Sequence, residues 1–352
     1  MKLFLETYDD RYKDRIAFLE KIKEPLHQLN GMEFVENYED ADIVVSQQTA
    51  YAPNLEFCLN QKKDVIILEV NDTATIFNNE LRNAIKNPIV KGFFKVTNFA
   101  NIEDHNKPTS GDVRYHANFI DEYEKISSQN PHAIIFEEKE LSKIKCAMPA
   151  FLNFRMDQVR QVQTFSSHQR DIDVNFAGTT DYTKNKNYVN LPEDDPKLEL
   201  PVLIGAHRKR CLVEVIEAQQ SMGIKVLLSD HKPMSQPQYW SSLYRSKVCL
   251  SPWGFGAYNW RDYESIYLGA LLIKPDTSFL ETYCNLFQGE KNYVKCSHDF
   301  SDLKKVISSC LENYDDYNPV RESALSTLNK NSNPSHIANR FANQITECLQ
   351  QR

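Results

Sequence analysis

Two charged residues, Arg261 and Glu264, stand three positions apart directly after a short turn that contains glycines. Residues at this spacing share one face of a helix. An arginine guanidinium binds phosphate oxygens through directed, charge-assisted hydrogen bonds, and a carboxylate can accept two hydrogen bonds from a ribose diol. The pair therefore fits a nucleotide diphosphate, although a surface ion pair beside a purely structural turn is the alternative.

The elements around this pair have the layout of a ligand-binding strand, turn and helix. An apolar strand runs into Gly254 and Gly256, where the absence of side chains lets main-chain N–H groups approach a ligand. A helix is expected over residues 260–270, closed by Gly269, and the apolar strand 271–275 follows. Ligands of open α/β sheets bind beyond the carboxyl ends of strands, and helix N-termini attract phosphates.

Further candidates for an anion site come from a basic cluster at the start of a helix predicted over residues 208–222, formed by His207, Arg208, Lys209 and Arg210. We expect one of the two arginines to reach the phosphates, whereas a solvated helix end is the alternative. Asp230 ends a strand predicted over residues 224–230 and could lie near the base or the sugar. Its alternative role is to cap a loop.

The order of these residues resembles the donor-binding segment of exostosin-like glycosyltransferases, and the resemblance covers roughly residues 170–312. It implies the GT-B fold, an α/β fold in which two Rossmann-like domains face a cleft. The C-terminal domain would hold a nucleotide-sugar donor and the N-terminal domain a glycan acceptor. Arg261 would bind the diphosphate and Glu264 the ribose, while Gly254 and Gly256 would shape the loop near the sugar. The resemblance implies no required cofactor and no metal.

The mechanism expected from the resemblance is an inverting transfer. Retaining GT-B enzymes commonly carry a second glutamate eight positions before the ribose-binding one, and Gly256 occupies that position here. An inverting transfer needs a general base. Asp9 and Asp10 follow the first strand and Asp72 follows a strand at residues 65–70, so these three are the candidate bases. Each could instead cap a helix or lie on the surface.

Apolar runs alternate with helical patterns along the whole chain, which indicates parallel sheets covered on both faces. In the first half we predict strands at residues 2–6, 41–46, 65–70, 92–98 and 132–137, with helices at residues 14–29 and 74–87. In the second half we predict strands at residues 171–178, 224–230, 248–254 and 271–275, with helices at residues 208–222, 239–247, 260–270 and 301–314.

The expected domains are an acceptor-binding domain over residues 1–165 and a donor-binding domain over residues 166–330. Residues 331–352 are expected to form a terminal helix, because Ile337, Phe341 and Ile345 are spaced by four. Sequence alone leaves open whether this helix packs on its own domain or crosses back to the first. The length of 352 residues suits two domains.

Composition excludes several classes of protein. A net charge of −7 argues against a general nucleic-acid binder. No apolar run is long enough to span a membrane, although peripheral membrane contact stays open. The eight scattered cysteines predict reduced packing residues and a cytoplasmic protein. Besides a glycosyltransferase, we keep two alternatives: a non-catalytic sugar-nucleotide-binding protein, and a nucleotide-sugar epimerase of the GT-B-like type.

Overall fold

The structure is a computed structural model of the chain. It describes residues 1–7, 16–49, 53–60, 62–71, 74–76, 78–106, 134–149, 158–159, 169–184, 189–192, 195, 198–229, 234–254 and 256–350. Among the helices in these ranges, none has both the length and the apolar character needed to span a bilayer.

A six-stranded parallel sheet occupies the first half of the chain, in the order β2-β1-β3-β4-β5-β7. Its strands are β1 Lys2–Thr7, β2 Glu33–Val35, β3 Ile43–Gln48, β4 Asp64–Glu69, β5 Val90–Lys95 and β7 Ile144–Cys146. The central strands are apolar on both faces because helices or loops cover both sides. Only their carboxyl ends carry buried polar side chains.

A five-stranded parallel sheet occupies the second half, in the order β13-β11-β10-β8-β9. Its strands are β8 Ile172–Phe176, β9 Val226–Leu228, β10 Ser246–Leu250, β11 Leu271–Pro275 and β13 Val294–Cys296. Two parallel sheets confirm the predicted α/β class with two Rossmann-like halves. The boundary at residue 165 stays a prediction.

An antiparallel ribbon joins the two halves. Its strands are β6 Thr97–Phe99 and β12 Leu280–Thr282. Strand β6 begins two residues after β5 ends, and β12 begins five residues after β11 ends. The ribbon therefore ties the carboxyl end of a strand in one sheet to the carboxyl end of a strand in the other.

The helices are numbered in chain order. They are α1 Phe18–Asn30, α2 Glu56–Leu59, α3 Asn79–Lys86, α4 Glu138–Leu141, α5 Glu199–Met222, α6 Gln236–Tyr244, α7 Trp260–Tyr267, α8 Leu303–Glu312, α9 Asn318–Asn331 and α10 Pro334–Gln350. The predicted terminal helix forms as α10 and packs on the first half of the chain. Its Phe341 ring lies 6.0 Å from the ring of Phe18 in α1 and 5.9 Å from that of Phe94 in β5.

The core is continuous between the halves. One buried apolar cluster includes Leu3 and Phe94 of the first sheet, Leu272 of the second sheet, and Phe341 of α10. Two further clusters cover the outer faces of the two sheets. All eight cysteines are free thiols, and seven of them are buried, as expected for packing residues.

The strand predicted over residues 132–137 is wrong for residues 134–137, which form no strand. Side chains replace the strand partners here. The main chain of Phe136 donates to Asn106 Oδ1 at 2.8 Å and accepts from Asn106 Nδ2 at 2.9 Å. The carbonyls of Ile134 and Ile135 accept from Arg82 and Lys86. Strand β7 occupies the sheet edge instead.

The helix predicted over residues 208–222 begins nine residues earlier, at Glu199. Pro201 is compatible with this start because the first turn of a helix has N–H groups without an intrahelical partner. Arg208 and Arg210 therefore lie within α5 and do not flank a helix N-terminus.

Candidate anion-binding site

Two arginine side chains end beside Gly178, at the carboxyl end of β8. A methyl group at Gly178 would lie 2.7 Å from Arg261 Nη2 and 3.3 Å from Arg208 Nη1. A side chain at position 178 would therefore collide with the guanidinium groups. The two guanidinium groups beside Gly178 create a positive potential there, which favours the binding of an anion with several oxygen acceptors.

Arg208 is held in place by main-chain carbonyls. It lies in α5 and is only 5% exposed. Its Nε donates to the carbonyl of Trp253 at 2.8 Å, and its Nη1 donates to the carbonyl of Thr179 at 3.2 Å. These carbonyls follow the neighbouring strands β10 and β8. Arg208 therefore forms hydrogen bonds with the main chain at the carboxyl ends of both strands.

Trp253 connects this arginine to the rest of the sheet edge. Its side chain is fully buried, and its main-chain N–H donates to His207 Nε2 at 3.3 Å. His207 is buried and packs between Trp253 and Phe300, with ring centroids 5.8 Å and 4.7 Å away. His298, which follows β13, lies 4.8 Å from Trp253 between ring centroids.

Arg261 is positioned by the start of α7. The side chain of Asn259 caps this helix by accepting from the N–H of Arg261 at 3.0 Å. The N–H of Asn259 donates in turn to Asp262 at 3.2 Å, which completes a capping box. Gly269 follows the helix with a φ of +74°. The predicted helix start near residue 260 and its closure by Gly269 are confirmed.

A buried ion pair fixes the turn to the helix. Lys274 and Asp262 are both fully buried, and Lys274 Nζ lies 2.5 Å from Asp262 Oδ2. The same ammonium donates to the carbonyl of Ala257 at 2.7 Å and stands 4.2 Å from the centroid of the Tyr258 ring. Lys274 therefore joins the glycine-containing turn, the first turn of α7 and strand β11.

The side chain of Glu264 is buried and not exposed to solvent. It is 4% exposed, and its Oε1 accepts from Trp240 Nε1 at 2.9 Å. Burial raises the pKa of Tyr239 well above its ordinary value; Glu264 raises it further, whereas Arg261 lowers it. Arg261 and Glu264 therefore share one local environment, and a solvated surface ion pair is ruled out. The ribose role of Glu264 stays a prediction.

The positive potential of the two arginines reaches neighbouring thiols. Burial raises the pKa of Cys211 above its ordinary value, while Arg261 and Arg208 oppose that rise. Burial raises the pKa of Cys249 to about 11, and Arg261 is again the largest opposing influence. Both thiols therefore stay neutral, so the site carries two guanidinium groups without a thiolate.

The glycines of the turn are buried, and the N–H of Gly254 donates to the carbonyl of Gly256 at 3.1 Å. The N–H of Gly254 is therefore engaged within the turn, and a ligand contact by the main chain of this turn stays a prediction.

Of the predicted site residues, Arg208 and Arg261 come together, with Glu264 beside Arg261. Arg210 does not join them, because residues two apart on a helix point in different directions and its side chain is exposed. Asp9, Asp10, Asp72 and Asp230 lie outside the described residues.

Asp171 and Asp173 have a spacing that is found in metal-binding motifs. Both carboxylates are structural: Asp171 pairs with Arg245, and Asp173 lies 2.7 Å from Lys247 Nζ. Within the ranges described above, no group of three His, Cys, Asp or Glu side chains is arranged to hold a metal ion.

Several positioning residues were missed from sequence. The signal for Lys274 was a lysine inside the apolar run LLIKP, since a buried charge needs a partner. The signal for Gly178 was a glycine two residues after the strand IDVNF, at the end of the strand predicted over residues 171–178. Trp253 had no signal beyond its place between Pro252 and Gly254.

Comparison with known proteins gives a fold-level likeness only. No family model and no curated protein matches the chain. A glycosyltransferase structure from Rickettsia africae ESF-5 is similar with a TM-score of 0.47 and 11% identity, covering 99% of this chain and 98% of that one. An alpha1,3-fucosyltransferase gives a TM-score of 0.43 and 10% identity, covering 98% and 90%.

A UDP-GlcNAc 2-epimerase from Methanocaldococcus jannaschii, in complex with UDP-GlcNAc and UDP, gives a TM-score of 0.38 and 13% identity, covering 94% of this chain and 98% of that one. At these low TM-scores and identities, the similarity assigns neither a family nor an activity. The exostosin-like resemblance stays a prediction.

Proposed function

We propose that this chain is a glycosyltransferase of the GT-B type, which moves a sugar from a nucleotide-sugar donor to a glycan acceptor. The observation that carries the proposal is the meeting of Arg208 and Arg261 beside Gly178. This point lies at the carboxyl ends of β8 and β10, where open α/β sheets bind their ligands.

In the proposed reaction, the bond between the anomeric carbon and the diphosphate oxygen breaks. The electron pair leaves with the diphosphate, and Arg208 and Arg261 stabilise the charge that develops there. Donors already aimed at developing charge need little reorganisation during the reaction, which makes this stabilisation effective. We propose that these cations serve the departing diphosphate without a metal ion.

The proposal is tested by binding calorimetry with UDP-, GDP- and CMP-sugars. Replacing Arg261→Ala removes charge-assisted hydrogen bonds worth about 1.5–3 kcal/mol, which corresponds to a roughly 10- to 100-fold weaker affinity. Arg245→Ala is the matched control, because Arg245 pairs with Asp171 before β8 at the opposite, amino edge of the same sheet. Equal affinities in wild type and Arg261→Ala would refute the proposed site.

Product analysis separates the proposed transfer from its alternatives. A glycosyltransferase releases the nucleotide and extends an acceptor, whereas a non-catalytic binder releases nothing and an epimerase changes the free donor. The anomeric configuration of the product tests the inverting mechanism, which we propose because Gly256 stands where retaining enzymes commonly have a glutamate. Retention of configuration would contradict it.

A further inference from the structure

A row of polar side chains crosses the carboxyl ends of the first sheet. Glu6 of β1 lies opposite Ser46 of β3, and the hydroxyl of Ser46 donates to Glu6 Oε2. Ser46 in turn accepts from Gln48 Nε2 at 2.8 Å. Gln48 is fixed by Asn54, whose N–H donates to its Oε1 at 2.7 Å. One oxygen of Glu6 is thus oriented by a hydrogen-bonded chain, and the side chain stays partly exposed.

A second carboxylate on the same edge is engaged and closed to solvent. Glu69 of β4 is fully buried, forms an ion pair with Lys95 of β5 and accepts from Asn71. This carboxylate is therefore engaged with a cation and closed to solvent. Glu6 differs in both respects, since its hydrogen-bond partner is a neutral hydroxyl and the residue is partly exposed.

The edge that carries Glu6 belongs to the same end of the molecule as the arginine site. The ribbon of β6 and β12 follows the carboxyl ends of β5 and β11. Because these strands are parallel to all others in their sheets, the ribbon ties together the two edges at which Glu6 and Gly178 lie.

We propose that Glu6 is the general base of the transfer, an inference that rests on the proposed function. The acceptor hydroxyl gives its proton to Glu6 as its oxygen forms a bond to the anomeric carbon. The bond from that carbon to the diphosphate breaks, and the electron pair leaves with the diphosphate beside Arg208 and Arg261. Ser46 and Gln48 hold the carboxylate in position as the proton moves.

The surroundings of Glu6 suit a base. Burial raises the pKa of Glu6 above its ordinary value, and the hydrogen bond from Ser46 lowers it in part. In the part of the chain that the structure describes, Cys58 of α2 is a titratable group that faces Glu6; burial, followed by the charge of Glu6, raises the pKa of Cys58 to about 11. The thiol is therefore neutral over the working range, and the acidic limb of a rate profile would report Glu6.

The test measures nucleotide release from UDP-, GDP- and CMP-sugars, with water, glucose, galactose or N-acetylglucosamine as acceptor, over a range of pH. Glu6→Gln keeps the shape and still accepts from Ser46 but cannot take a proton. We expect it to lower kcat/KM by about 10²- to 10⁴-fold with UDP affinity unchanged. Glu33→Gln, on the neighbouring strand β2, is the control and should behave like wild type.

Ser46→Ala adds a readout that loss of structure would not produce. Without the Ser46 hydroxyl, the pKa of Glu6 rises, so the acidic limb of kcat/KM should move to higher pH. Release by Glu6→Gln at the wild-type rate would overturn the assignment, as would an acidic limb unmoved in Ser46→Ala. If wild type binds donor but releases no nucleotide, Glu6 is not a base; if wild type binds no donor, the proposed function fails first.

Discussion

Gly178 is the residue at which the fold leaves room for two guanidinium groups. We expect Gly178→Ala to displace Arg261, because the added methyl group would lie 2.7 Å from Nη2. The end of a long side chain can move, so the free energy of unfolding should change by less than about 1 kcal/mol. Directed hydrogen bonds to a diphosphate should weaken by about 1–2 kcal/mol, which calorimetry with UDP would show as roughly 5- to 30-fold weaker binding.

A double-variant cycle gives this prediction its control. Once Arg261 is replaced by Ala, the methyl group at position 178 has no guanidinium to displace. Gly178→Ala should then have little further effect on UDP affinity, so the two changes should be strongly non-additive. Additive losses would show that Gly178 acts on binding by another route.

Sequence predicted the local structure well where the residues concerned are close together in the chain. The spacing of Arg261 and Glu264, the helix start and Gly269 all belong to one strand–turn–helix unit, where local rules apply. Arg208 was a candidate but not a firm one, because its contact with Trp253 spans 45 positions. A contact between residues so far apart in the chain depends on the order of the strands in the sheet, and a local sequence pattern does not predict that order.

At the scale of elements, the turn and helix that carry Arg261 depend on the buried pair of Lys274 and Asp262. We expect Lys274→Met to lower the free energy of unfolding by about 3–5 kcal/mol, since it leaves a carboxylate buried without its cation. Urea denaturation measures this loss. UDP affinity should fall as well, because Lys274 also holds the carbonyl of Ala257 in the turn.

The matched control is the double variant Lys274→Met with Asp262→Leu, which removes both charges. Replacing a buried pair by apolar residues is often close to neutral, apart from the capping box that Asp262 completes, worth about 1 kcal/mol. The double variant should therefore be more stable than Lys274→Met alone. If it were less stable, desolvation of the carboxylate would not be the cause.

The pattern of apolar residues predicted those elements whose side chains are buried continuously or at regular intervals. Strand β11 matches its predicted range of residues 271–275 fully, because all five of its side chains are buried. The strand prediction was wrong for residues 134–137, where the side chain of Asn106 forms the hydrogen bonds with the main chain of Phe136 that a neighbouring strand would otherwise form. Helix α9 was not predicted, since its buried residues Ala324, Leu328 and Asn331 make only a narrow and partly polar stripe.

At the scale of the whole molecule, helix α10 packs the last part of the chain against the first half. Its spacing of apolar residues predicted a helix, but a helical stripe does not name its partner. The structure places Phe341 between Phe18 and Phe94, and Arg340 Nη2 donates to the carbonyl of Cys146 at 3.4 Å. The guanidinium of Arg340 also lies 5.0 Å from the Tyr283 ring, next to the ribbon strand β12. The helix thus contacts both the first sheet and the link between the sheets.

This packing predicts that Phe341 matters for the stability of the whole chain and not only of its end. Phe341 is 1% exposed, and Phe341→Ala should lower the free energy of unfolding by about 3–5 kcal/mol through lost burial and the cavity left behind. Glu347→Ala, on the exposed side of the same helix, is the control and should change stability by less than about 0.5 kcal/mol. If both variants unfold at the same urea concentration, α10 adds nothing to the core. A single cooperative transition that shifts only in Phe341→Ala would instead show that the terminal helix is part of the fold that holds the two sheets together.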